Sequence, residues 1–226
     1  MRSRRWIVFL FLILPAVLLW NRSTPLSQTT GTARSTASFW IGSNGTYSRS
    51  SLGASSNVSV GHGLLQSDAG SSLPDGIAIF GYRQGGVLVS EASVKASPTI
   101  QSGRIYAEVN GQVNTGLAIA NPGDDDALLS FYFTNQDGTI FGSGSTTISA
   151  RSQITKFLDQ VPFNSGSSMS GSFTFTSSVP IGVTALRGFT NQRSEFLMTT
   201  LPVIALECRE PGSSWSWTNI ARRHWN

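Results

Sequence analysis

The sequence predicts an all-β protein: an antiparallel immunoglobulin-like β-sandwich, with one complete module preceded by a partial repeat. Three observations predict this fold class. Apolar and polar residues alternate along many short segments after residue 57. Turn dipeptides, such as Asn110 with Gly111 and Asp137 with Gly138, lie between those segments. An internal repeat has an offset of 104 residues, close to the roughly 100 residues of one such sandwich.

The first 22 residues have the pattern of a targeting segment. Three Arg within residues 1–5 precede an unbroken apolar run over residues 6–20, which is typical of a secretory signal. As a helix this run spans about 22 Å, short of the ~30 Å hydrocarbon core of a bilayer. No cleavage site of small residues follows promptly. We therefore expect an exported chain, extracellular or at the cell surface, with residues 1–22 as a cleaved signal peptide or an N-terminal signal anchor; a buried core helix is the third alternative.

Residues 23–56 are rich in Ser, Thr, Gly and Asn, a composition that predicts a flexible spacer. At most one weak strand is expected in it, near residues 39–41.

Strand periodicity predicts the core of the following part. Only residues 154–163 depart from the alternation, and one helical turn linking the sheets is expected there. The predicted apolar faces are formed by Ile105, Ala107 and Val109, by Leu117 and Ile119, by Leu129, Phe131 and Phe133, by Phe173 and Phe175, and by Ile181, Val183 and Ala185.

The internal repeat aligns residues 77–98 with residues 181–202 without a gap. In each copy an Arg is followed eight positions later by a Glu. If the two strands of each copy form a hairpin, these residues can pair across it and stabilise it by ~0.2–1 kcal/mol. The predicted structural ion pairs are Arg83 with Glu91 and Arg187 with Glu195.

The repeat divides the rest of the chain into a partial β repeat at 57–103, a β-sandwich module at 104–204 and an atypical Trp-rich tail at 205–226. The tail is either a genuine aromatic segment that docks on a partner or the product of a truncated or shifted reading frame.

Residues 102–123, 128–142 and 177–203 resemble the tandem β-sandwich modules of large exported proteins from soil bacteria of the acidobacterial type. The resemblance covers residues 57–204, about two thirds of the chain. It implies the fold and the export of the chain, and it supplies no catalytic residue.

Composition argues against an enzyme and against a cofactor. The chain has two His and one Cys, so there are few groups for acid–base or thiol chemistry. A Ser–His–Asp site would need His62, the only His in the modules, beside a Ser and a carboxylate in a cleft.

Nucleic acid is not an expected partner, because residues 61–204 carry seven basic and ten acidic residues.

Three tyrosines are candidate binding residues. Tyr82, Tyr106 and Tyr132 lie out of phase with the apolar faces of their strands. They either stabilise the outer sheet face or form a platform for a surface polysaccharide.

A weak candidate site for Ca²⁺ is formed by Asp124, Asp125 and Asp126, with a solvated acidic turn as the alternative.

We predict an exported, non-catalytic module for scaffolding or adhesion. Its expected partners are neighbouring β modules, and it contacts the membrane only through its N-terminal segment. The alternative is a carbohydrate-binding accessory module.

Overall fold

The structure, a computed structural model, describes residues 7–11, 36–50, 61–84 and 86–206, the first of these as backbone only. Every regular element in these ranges is a β-strand, no helix occurs among them, and all strand pairs are antiparallel. The all-β antiparallel prediction is therefore confirmed. In chain order the strands are β1 (Ile7–Phe11), β2 (Gly61–Leu65), β3 (Ile77–Gln84), β4 (Val87–Lys95), β5 (Ser97–Pro98), β6 (Ile100–Asn110), β7 (Val113–Ala120), β8 (Ala127–Asn135), β9 (Ile140–Ile148), β10 (Gln153–Phe157), β11 (Met169–Thr190), β12 (Phe196–Leu201) and β13 (Ile204–Ala205).

The large sheet curls because β11 belongs to two layers. Residues 169–177 of β11 lie between β6 and β8, with β9 beyond β8. Residues 182–190 lie between β7 and β12, with β10 beyond β7. The register shifts between Thr176 and Ile181, next to Pro180, which has no N–H to donate to a ladder. Side chains from both parts of the curled sheet enter one contiguous core.

The predicted apolar faces form that core. Ile105, Ile119, Leu129, Phe173 and Ile181 are each at most 1% exposed and belong to one contiguous cluster. The face prediction is confirmed for these strands, because the side chains of a strand alternate sides whichever strand it pairs with.

The hairpin β3–β4 packs on the opposite side of β11 and β12. Phe80 and Val94 form a second buried cluster with Leu186, against which Met198 packs. The Met198 N–H donates a 2.8 Å hydrogen bond to Ser90 Oγ. The two copies of the sequence repeat are therefore both hairpins, and one lies on the other.

Residues 154–163 contain no helical turn. Gln153–Phe157 instead forms β10 on the edge of β7, and turns follow. The expectation of helix is wrong because the free edge of β7 offers the segment a full set of ladder hydrogen bonds. Leu158 and Phe163 then enter the core.

The described part of the predicted spacer, residues 36–50, holds no strand, so the weak strand near residues 39–41 is not formed. Its Phe39 and Tyr47 rings stack instead, with centroids 4.7 Å apart. Residues 207–226, most of the predicted tail, lie outside the described residues.

The backbone of β1 lies between β2 and β5 and pairs with both. The remainder of the predicted signal segment lies outside the described residues, and its cleavage or retention stays a prediction. Within the described ranges, no helix has the length and apolar character needed to cross a membrane.

Candidate functional site: a polar face on the large sheet

One face of the large sheet is lined by hydroxyl groups, two tyrosines and an arginine. It forms because residues two apart on a strand point to the same side, and the intervening residues fill the core. We call it the hydroxyl face. Its members are Arg104, Tyr106 and Glu108 on β6, Ser170, Ser172 and Thr174 on β11, and Ser130, Tyr132 and Thr134 on β8.

Tyr132, Thr174 and Arg104 form a row across three strands, each opposite the next in the register. Arg104 Nε donates a 2.8 Å hydrogen bond to Thr174 Oγ1, and Arg104 Nη2 lies 3.4 Å from the Tyr132 hydroxyl. No carboxylate of a described residue lies within 4.0 Å of the Arg104 guanidinium. The row therefore presents an exposed, uncompensated positive charge beside an aromatic ring.

Tyr106 lies two residues along β6 from Arg104 and is 46% exposed. Its hydroxyl is 3.4 Å from Glu108 Oε2 and 3.4 Å from Ser170 Oγ. These contacts hold the ring beside the row and leave much of its surface open to solvent.

Glu108 is compensated by a cation from the other layer. Its Oε2 accepts a 3.0 Å hydrogen bond from Arg187 Nε, and its Oε1 accepts one of 2.9 Å from Asn110 Nδ2. Both residues of this ion pair are partly shielded from solvent, with 17% of the Glu108 side chain and 33% of the Arg187 side chain exposed. The net charge of the hydroxyl face is therefore that of Arg104.

Of the three predicted binding tyrosines, Tyr106 and Tyr132 share the hydroxyl face and Tyr82 does not. Tyr82 is 4% exposed and meets the Phe196 ring edge-on at 6.0 Å. The expectation that Tyr82 faces solvent is wrong because its side of β3 is the side that packs on β12.

The structure does not form the predicted Arg–Glu pairs. Arg187 bonds Glu108, and Glu195 bonds Arg193 at 2.7 Å. Arg83 instead donates to the Gly86 carbonyl at 3.2 Å, and no ion pair within 4.0 Å joins it to Glu91. The reason is register: Arg187 lies opposite Thr199 and Arg83 opposite Leu88, so neither faces its Glu.

Two residues of the acidic run, which lies between β7 and β8, bond the loop between β9 and β10. The Asp124 carboxylate pairs with Arg151, and Asp126 Oδ1 accepts a 2.8 Å hydrogen bond from the Ala150 N–H. Among the described residues, no group of three or more His, Cys, Asp or Glu is arranged to hold a metal ion.

A pocket of ≈ 190 Å³ lies beside this loop. It is smaller than the roughly 300–1,000 Å³ of ordinary small-molecule sites. Its lining residues are Thr99, Pro122, Gly123, Asp124, Asp125, Val179 and Pro180.

His62 lies on β2, and its Nδ1 donates a 2.8 Å hydrogen bond to Gln153 Oε1. Its partner is thus an amide oxygen and not the carboxylate that a Ser–His–Asp site requires.

Two carboxylates with lowered pKa values both lie in turns and are not members of the hydroxyl face. The backbone and side chain of Thr139 donate to Asp137 and lower the pKa of that carboxyl in the β8–β9 turn. The Asn191 amide, followed by Arg193, lowers the pKa of Glu195 between β11 and β12.

Sequence reasoning missed Arg104 and Thr174 as members of the site. The positions of Arg104 and Tyr106, two apart on one predicted strand, were a usable signal, because such residues share a face. The pairing of β11 between β6 and β8, which brings Thr174 and Tyr132 beside them, has no local sequence signal.

No family model and no curated protein matches the chain. The chain is similar to a crystal structure of Thermotoga maritima 1070, with 18% identity, coverage of 46% of this chain and 94% of that one, and a TM-score of 0.39. It is also similar to the Anabaena sensory rhodopsin transducer, with 18% identity, coverage of 38% and 95%, and a TM-score of 0.35. At these TM-scores neither likeness informs the fold or the function.

Proposed function

We propose that the chain is an exported, non-catalytic β module of a cell-surface or extracellular protein that serves in scaffolding or adhesion. In this proposal residues 104–204 are one complete immunoglobulin-like sandwich, and residues 57–103 are the end of a preceding module of the same kind. The two layers that enclose one core support the first assignment. The basic and apolar pattern of residues 1–22 supports export.

The packing of the repeat copies carries the scaffolding proposal. In the second copy, Ile181 and Val183 are buried in the core. The aligned residues of the first copy, Ile77 and Ile79, are 64% and 67% exposed. The hairpin β3–β4 already covers its other face by packing on its own repeat copy. The face of the first copy that is exposed thus corresponds to the face of the second copy that is buried. Another hairpin of this repeat type is therefore the partner that fits it.

Sedimentation of the full-length protein tests this proposal. A second copy carries the same isoleucines, so two copies can cover each other about a two-fold axis. We expect association above the 24.2 kDa monomer mass, lost in the double variant Ile77→Ser, Ile79→Ser. Ile140→Ser, at a position 61% exposed on the large sheet, is the matched control and should associate normally. A wild-type protein that stays monomeric at its highest soluble concentration contradicts the proposal.

A second function, carbohydrate binding, is favoured by Tyr106 and Tyr132 on one face, with Arg104 two residues from Tyr106 and its Nη2 3.4 Å from the Tyr132 hydroxyl. Aromatic rings on an open sheet face can stack on sugar rings, and the neighbouring hydroxyls can bond sugar hydroxyls. Calorimetry of the full-length protein against a panel of cell-wall and plant polysaccharides tests it. Binding should be lost in Tyr106→Ala and kept in Tyr47→Ala, since both tyrosines are 46% exposed and only Tyr106 is on the face. Flat titrations with folded protein contradict it.

A further inference from the structure

The Arg104 guanidinium has one edge bonded to the protein and one edge free. Nε and Nη2 form the bonded edge, which faces Thr174 Oγ1 and the Tyr132 hydroxyl. Nη1 makes no hydrogen bond to any described residue. The edge formed by Nη1 and Nη2 therefore retains one N–H from each nitrogen, in the parallel arrangement that matches the two oxygens of a carboxylate.

We propose that the hydroxyl face binds a carboxylate-bearing polysaccharide, a chain that contains uronic acid residues. Arg104 takes the carboxylate on its free edge, and Tyr106 and Tyr132 contact the sugar rings. This inference rests on the carbohydrate-binding function proposed above and adds the class of sugar.

Local charge favours an anionic chain over a neutral one. Glu108, the one acid among the residues of the hydroxyl face, is neutralised by Arg187 at 3.0 Å. Arg104 therefore supplies a positive charge on a domain that otherwise carries more acidic than basic residues. Because no carboxylate in the described part of the chain lies within 4.0 Å of the Arg104 guanidinium, a ligand carboxylate gains a charge-assisted bond without first breaking an ion pair.

The shape of the face favours a polymer over a single sugar. Its rows run across three strands, which are spaced about 4.8 Å apart, and it is open rather than enclosed. The sugar carboxylate would bind at the Arg104 position of the row, and adjoining sugar residues of the polymer would extend over Ser172 and the two tyrosine rings.

Calorimetry of the full-length protein tests the inference with three polymers: polygalacturonate, a neutral galactan and dextran sulfate. We expect polygalacturonate to bind most tightly and its affinity to fall as salt is added. Arg104→Gln should weaken this binding by about tenfold or more, the usual effect of losing a charged hydrogen-bonding partner. Arg104→Lys should recover little, because an ammonium cannot form the two parallel bonds. Arg49→Gln, at an exposed arginine outside the face, is the matched control and should bind as the wild type does.

Each other outcome overturns a distinct part of the argument. Equal binding of galactan, insensitive to Arg104→Gln, overturns the inference and leaves the carbohydrate function standing. Dextran sulfate bound as tightly as polygalacturonate overturns the assignment of a carboxylate and shows general anion binding. No binding of any polymer by folded protein, checked by circular dichroism, overturns both the inference and the carbohydrate function.

Discussion

At the residue scale, Gly171 is required by a close approach of two strands. It lies on β11 opposite Asn135, and a Cβ built at this position would be 1.9 Å from the Thr134 carbonyl oxygen. A backbone atom cannot move aside as the end of a side chain can, so an added methyl group must push β11 away from β8.

We therefore expect Gly171→Ala to lower the free energy of unfolding by about 3 kcal/mol, at the upper end of overpacking costs. The midpoint of urea denaturation measures the change. Gly111→Ala is the control, because a Cβ at Gly111 meets nothing within 4 Å. Equal stability of the two variants would show that the strands separate at little cost.

Asn121 holds the acidic loop to the core with a single side chain. It is fully buried, and its Nδ2 lies 2.8 Å from the Asp125 carbonyl, 3.0 Å from that of Ile148 and 3.2 Å from that of Ser149. Its Oδ1 accepts from the Gly123 N–H at 3.1 Å. One amide thus satisfies carbonyls of two loop segments that would otherwise be unpaired away from water.

Asn121→Asp keeps the size of the side chain and removes the donor. We expect a loss of about 3 kcal/mol at neutral pH, because carbonyl oxygens are left unsatisfied against a carboxylate. Thermal and urea unfolding measure it, with the exposed Asn135→Asp as the control. A loss no larger than that of the control would mean that the loop does not depend on this amide.

The alternation of apolar and polar residues predicts which side of a strand faces the core, provided that only one side of the strand is apolar. On β8 it does so correctly, since Phe131 and Phe133 are buried and Tyr132 is not. On β3 both sides carry apolar residues, because Ile77 and Ile79 alternate with Phe80 and Tyr82. Only the docking of the hairpin decides between the two sides, and periodicity contains no information about docking.

At the element scale, the two repeat copies form hairpins with different registers. The first copy turns between Gln84 and Val87, and the second turns between Thr190 and Phe196. The aligned sequences therefore place their turns at different positions, and register determines which residues face each other. This is why identical Arg–Glu spacings give no identical ion pairs, although the hairpins themselves follow from the strand pattern.

The turn of the second repeat copy, between β11 and β12, is held by hydrogen bonds to Glu195. The Glu195 Oε2 accepts from Asn191 Nδ2 at 2.7 Å and from Arg193 Nε at 2.9 Å, and these bonds lower its pKa from the ordinary 4.5. A carboxyl whose pKa is lower in the folded state stabilises the protein above its unfolded-state pKa, and that contribution is lost as the pH falls through the folded value.

We therefore expect Glu195→Gln to be less stable than the wild type at pH 7, with the difference shrinking as the pH falls below about 4.5. Urea midpoints at pH 7 and pH 3 measure it. Gln192→Ala, at an exposed residue of the same turn that carries no titratable group, serves as the control and should show no such narrowing. A difference that is constant across this range would mean that the Glu195 carboxylate does not stabilise the turn.

At the scale of the whole molecule, β11 explains how much of the fold could be predicted. Residues 172–176 and 181–185 were both recognisable as strands, and their apolar faces are buried as expected. They are halves of one 22-residue strand that is shared between two layers. This arrangement depends on strand partners as distant in the chain as Ile100 is from Ile181. Such long-range pairing, and with it the hydroxyl face, follows from tertiary contacts that local patterns do not contain.

Cleavage of the N-terminal segment would remove a strand that the structure contains. The proposed export signal would be removed, whereas the backbone of β1 lies between β2 and β5 and pairs with five consecutive residues of β2. The segment cannot be both removed and part of the folded sheet.

We expect the exported protein to begin between residues 23 and 40, because a basic start and a short apolar run are what signal processing recognises. Intact-mass spectrometry of the secreted protein measures the new terminus. Amide hydrogens over Gly61–Leu65 should then exchange faster in the processed protein than in the uncleaved precursor, since cleavage takes away their ladder partner. A secreted protein that still carries residues 7–11, with slow exchange in β2, would contradict the signal interpretation and make β1 a permanent strand of the fold.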